Sequence, residues 1–107
     1  MELYSTNNSS LRVSLREAVL QGLPPDNGLY MPIQIPVLDE EFWQDFRSYS
    51  FAELATRVAQ SLLGDAMPGS DLEKIVHQAI NFDAPLVDLT EELKVLELFH
   101  GPTLAFK

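Results

Sequence analysis

The sequence has no cysteine, which excludes a disulfide framework, a thiolate metal site and a thiol nucleophile. It is also short of positive charge: 7 lysines and arginines stand against 16 aspartates and glutamates, for a formal charge of −9. Such a surface repels nucleic acid and anionic membranes, and no basic patch interleaved with aromatics offsets it. Glycine is sparse, with 5 residues. Gly64 and Gly69 stand isolated, and Gly101 precedes a proline, which has no amide hydrogen to donate, so no glycine-rich phosphate loop is present. There is no repeat, no low-complexity tract and no apolar run of membrane-spanning length. The start, Met1-Glu2-Leu3-Tyr4, lacks the basic region and apolar stretch of a secretory signal, and a cytoplasmic protein is expected.

What remains is ordinary globular material. The 107 residues, 46% hydrophobic and 21% charged, suffice for one modest core but are short for a cofactor cleft and a substrate site together.

Three serines each precede a glutamate by three places and open an apolar-periodic run: Ser14 with Glu17, Ser50 with Glu53, and Ser70 with Glu73. Each reads as a capping box, in which hydroxyl and carboxylate satisfy amides that the first helical turn leaves free. The first helix is expected over about residues 15–21, stopped at Gly22 by a left-handed terminator. After Ser50, Phe51, Leu54, Ala55, Val58 and Leu62 form one stripe, ended by Gly64. After Ser70, Leu72, Ile75, Val76, Ala79 and Ile80 form another. Two stripes joined by a short loop predict an antiparallel helix pair packed on short strands. Asp39 caps a fourth, shorter helix through Glu40, Glu41, Phe42, Trp43 and Phe46.

Strand signals are brief: residues 3–6, 29–31, 86–89 and 95–99. Pro24, Pro25, Pro32 and Pro36 punctuate the second quarter as strand and loop. Helices and short strands without regular alternation predict an α+β fold rather than a doubly wound sheet.

Candidate chemistry is concentrated at the carboxyl-terminal end, in His100-Gly101-Pro102-Thr103-Leu104-Ala105-Phe106-Lys107. Taken alone these residues are unremarkable: Gly-Pro is a turn signal, threonine a helix cap, and most lysines are solvated charges. A turn, a cap and a short apolar stem ending in an amine also suit an imine-forming lysine one turn into a helix. His77, mid-helix with no second ligand three or four places away, reads as a helix-face residue rather than a metal ligand. Phe42, Trp43 and Phe46 read as a core or interface cluster. Glu91-Glu92 and Asp39-Glu40-Glu41 read as helix-start charges.

The last eight residues closely resemble the lysine segment of threonine synthases. Tyr4-Ser5-Thr6-Asn7 and Gly22 to Pro32 resemble that family's two opening motifs, in matching order and separation. The family commonly shows arginine where this sequence has Asn7, and Gly-Gly where it has Asn27-Gly28. An arginine contact from position 7 therefore has no counterpart here, whereas asparagine tolerates the positive φ that a turn at 27 needs.

The resemblance, spanning Tyr4 to Lys107, implies the amino-terminal domain of a fold-type II pyridoxal-phosphate enzyme over residues 1–92. Residues 93–107 would begin a catalytic domain that continues beyond the chain. It implies that Lys107 holds pyridoxal 5'-phosphate as a Schiff base and is the catalytic residue, with no metal; His100 and Thr103 are the candidates for contacting substrate, and a turn-stabilising hydrogen bond accounts for His100 equally. The implied reaction turns O-phosphohomoserine and water into L-threonine and phosphate. Both cofactor and substrate are anionic, and the phosphate cradle must come from sequence absent here, so the chain alone is expected to be inactive. Two other readings are an acidic protein-interaction module, binding through Trp43, Phe42 and Phe46 or its final strand, and the front end of a related pyridoxal-phosphate-dependent phospholyase.

Overall fold

The computed structural model describes residues 1–105. Its elements run β1 (Glu2–Ser5), β2 (Arg12–Ser14), α1 (Leu15–Gln21), β3 (Tyr30–Pro32), α2 (Glu40–Asp45) with a 3₁₀ turn at Phe46–Ser48, α3 (Phe51–Leu63), α4 (Gly69–Ala79), β4 (Leu86–Asp88) and β5 (Lys94–Leu96). This is the small α+β domain expected, with four α-helices and short strands.

β1 is the centre of a three-stranded antiparallel sheet in the order β2-β1-β3. Leu3 lies opposite Val13 on one side and Pro32 on the other. Successive residues of a strand face opposite sides, so Leu3 and Ser5 share a face, and both are buried. α1 packs against β1 and β2 and contributes buried Ala18. Pro32 sits on an edge strand, where its missing N–H costs no central ladder bond. The strand β2 was not expected from the sequence. Its three residues carry one apolar side chain, and it exists because the turn at residues 6–11 returns the chain along β1.

Two capping boxes form as read. Ser14 Oγ accepts from Glu17 N while Glu17 reaches back to Ser14 N, and Ser50 and Glu53 do the same. Asp39 accepts from Phe42 N at 2.7 Å to start α2. Gly22 ends α1 at φ 74. The third box does not form. α4 begins at Gly69 with Pro68 in the cap position and no side-chain cap bond. The Pro68 carbonyl accepts from both Asp71 N and Leu72 N, which places Ser70 inside the first turn rather than before it.

α3 and α4 pack on each other more than on any strand, and Leu72 and Val76 of α4 are buried. Ile75, expected in the same core, is 51% exposed. The strands expected at 86–89 and 95–99 form as the hairpin β4-β5, the first one residue shorter and the second shifted to begin at Lys94, in a register that pairs Leu86 with Leu96. Glu97 N donates to Pro85 O and extends the pairing by one bond.

Candidate functional site

The two amino-terminal motifs meet in space. Asp26 Oδ1 accepts from Ser5 Oγ at 2.7 Å and from Gly28 N at 3.0 Å. Asn7 donates its backbone N–H to Ser5 Oγ and its side-chain N–H to Asp26 O, and Leu29 N donates to Thr6 Oγ1. Asn27 holds φ 62, the left-handed conformation expected of the turn. Gly28 is required by close approach rather than by φ: a Cβ there would lie 2.3 Å from Ser5 Oγ and 2.9 Å from Asn7 N. Asn7 thus stitches the β1 end to the turn. Asp26 Oδ2 is buried without a partner among the described residues. This node ties the sheet together and lies in neither the His100 segment nor its cleft.

The carboxyl-terminal segment is organised around a turn. Beyond β5, His100 Nε2 lies 2.6 Å from Glu97 Oε2. A carboxylate can only accept, so the ring Nε2–H is the donor in this contact. The Phe99 ring stacks on His100 with centroids 4.7 Å apart, giving the imidazole a fixed plane. Leu104 N donates to Gly101 O at 3.0 Å, closing a turn whose first corner Pro102 presets.

No helix begins at Leu104, contrary to the reading of Thr103 as an N-cap. Leu104 has φ 55, outside the right-handed helical region, because the Gly101-to-Leu104 turn takes the chain instead. Thr103 Oγ1 donates to Ala105 O at 3.4 Å. Lys107, on which the proposed chemistry rests, lies outside the described residues.

The turn lies against a cleft of about 330 Å³, lined by Phe51, Ile80, Phe82 and Leu98 and by Gly101 and Thr103 of the turn itself. The sequence reading passed over two of these contributions. Phe82 packs on buried Gly101, and its ring meets that of Phe51 at 6.4 Å in a T-shaped pair. Neither contact is local, so no spacing could have shown it. Glu97 was passed over as well, although its position three residues before His100 was a signal within reach.

Elsewhere, Phe42 is buried while Trp43 and Phe46 remain partly exposed around it. His77 lines a groove with Tyr49, Glu73 and Arg57, and the Arg57 guanidinium lies 4.2 Å from the Tyr49 ring centroid. Among the described residues no group of three histidines, cysteines or carboxylates is placed to hold a metal ion, and no helix is long and apolar enough to cross a membrane.

Compared with known proteins, residues 2–80 match the family described as the threonine synthase N terminus. The chain belongs to the threonine synthase family. A threonine synthase of Serratia marcescens is 35% identical over 107 residues, all of this chain and 25% of that protein. The crystal structure of threonine synthase from Escherichia coli superposes with a TM-score of 0.87 at 34% identity, covering 99% of this chain and 25% of that one. The X-ray structure of PLP-bound threonine synthase from Brucella melitensis gives 0.82 at 37% identity, covering 99% of this chain and 24% of that one. The chain therefore spans about a quarter of the length of the threonine synthases it matches.

Proposed function

We propose that these residues form the amino-terminal quarter of a pyridoxal-phosphate-dependent threonine synthase, a cytoplasmic enzyme that turns O-phosphohomoserine and water into L-threonine and phosphate. The observation that supports this best is the 0.87 superposition on threonine synthase over 99% of the chain. On this reading residues 1–92 are the amino-terminal domain, and residues 93–107 open the catalytic domain.

The fit of this chain to the cofactor is specific and partial. An amine is the right group for an aldehyde, and Lys107 supplies it. The described residues supply no phosphate cradle: the cleft beside the turn is mainly apolar, and Gly101 is followed by a proline. The rest of the catalytic domain must hold both phosphates. When bound, the cofactor supplies an electron sink for charge developed on the substrate carbon skeleton.

This chain's residues do the remainder. Lys107 Nζ would hold the cofactor, and the same amine is the chain's candidate for proton transfer. His100, held by Glu97 and stacked on Phe99, offers substrate an oriented imidazole, and the Thr103 hydroxyl stands on the same turn. The amino-terminal domain sets the position of that turn.

The experiment is an assay of the full-length protein with O-phosphohomoserine and pyridoxal phosphate, following phosphate and threonine together. Equal release of both, abolished by Lys107→Ala, is expected. Phosphate without threonine would identify a related phospholyase instead, and neither product would contradict the proposal.

A further inference from the structure

Gly101 is buried, and the atoms nearest to where its side chain would stand all belong to Phe82. A Cβ added there would lie 2.9 Å from Phe82 Cζ and 3.1 Å from both Cε atoms, closer than non-bonded carbons approach. The ring has a neighbour on one side. Phe51 stands against it edge to face, 6.4 Å between centroids, and Ala79 and Ile80 at the end of α4 wall the same cleft. Phe51 is itself the first residue of α3, fixed by the Ser50–Glu53 box. The turn carrying His100 and Thr103 is thus referenced, through one aromatic ring, to the two helices that form the centre of the domain.

We infer that Phe82 is a positioning residue for the active site: its ring seats Gly101 and so sets where the turn carrying His100 and Thr103 stands. The inference rests on the proposed function and adds to it a role for the amino-terminal domain. A glycine is needed at 101 because the ring and the backbone touch directly. A side chain at 101 must displace either the ring or the turn, and a displaced turn carries His100 and Thr103 with it.

The test uses the full-length protein and three variants: Gly101→Ala, Phe82→Leu, and the two combined. Each is titrated with pyridoxal phosphate, reduced with borohydride and mapped for label at Lys107, with thermal midpoint, kcat and KM measured alongside. A displacement of about an ångström costs on the order of a hundredfold in rate. Gly101→Ala is therefore expected to lower kcat by roughly that factor and to reduce labelling of Lys107, with far less effect on KM. The smaller leucine makes room for the added methyl, so the double variant is expected to recover both labelling and kcat relative to Gly101→Ala, which loss of stability alone would not produce.

Wild-type behaviour of Gly101→Ala, or a double variant no better than it, would overturn the inference. If Gly101→Ala does not fold, Phe82→Leu decides, and unchanged labelling and kcat in that variant overturn it equally. Failure of the proposed function itself looks different, because the wild-type protein would then take no label at Lys107.

Discussion

At the scale of the residue, local chemistry is most plainly decisive in the two capping boxes. The Glu17 carboxyl is held below its ordinary value of 4.5, first by the hydrogen bond from the Ser14 side chain and then by the Ser14 backbone N–H. Glu53 is lowered in the same way by Ser50. A folded-state value below the unfolded one means that the stabilisation is present above about pH 4.5 and is lost as pH falls through the folded value. Ser50→Ala should therefore melt below wild type at neutral pH, and the gap should narrow as pH drops below 4.5. Carboxyl NMR titration should show Glu53 moving back up in that variant. Gly28 is the opposite case, in which the backbone tolerates a side chain and the neighbours do not. Gly28→Ala forces a methyl against Ser5 Oγ and Asn7 N and should destabilise by about 1–3 kcal/mol, read by denaturant unfolding.

At the scale of the element, what was legible in the sequence was what is decided within one turn. Ser14, Asp39 and Ser50 announce their helices because cap and first turn are neighbours in sequence, and Gly22 announces an end for the same reason. Ser70 misled because its spacing to Glu73 is right while Pro68, two residues earlier, already starts the helix. The apolar stripes correctly marked α3 and α4 as a pair, but periodicity does not say which members of a stripe face the partner. Leu72 is 2% exposed whereas Ile75 is half in solvent. Leu72→Ala should accordingly cost about 2–5 kcal/mol, and Ile75→Ala much less, by thermal or urea melts. Asp39→Ala should cost about 1 kcal/mol through loss of its cap. Strand β2 and the Phe82–Gly101 contact were not legible, since long-range pairing decides both.

At the scale of the whole molecule, the chain is extended for its length. Its radius of gyration is 16.6 Å, against about 13 Å for a compact domain of this size. The hairpin region leaves Leu86, Leu89, Leu93, Leu96, Leu98 and Phe99 exposed, a contiguous stretch of sequence with little of its own to bury it. The 107-residue chain alone should therefore bind an apolar dye, as its fluorescence would show, and a chain as long as its relatives should bind less of it. With no phosphate cradle among its described residues, the 107-residue chain should also form no threonine, even with excess cofactor and substrate.

The central claim is that this segment delivers a cofactor-bearing lysine, and covalent labelling tests it most directly. Pyridoxal phosphate is added to the 107-residue chain and to the full-length protein, borohydride fixes any adduct, and mass spectrometry maps the modified lysine. The account predicts specific labelling of Lys107 in the longer protein only. Labelling at Lys74 or Lys94 there, with Lys107 untouched, would contradict it.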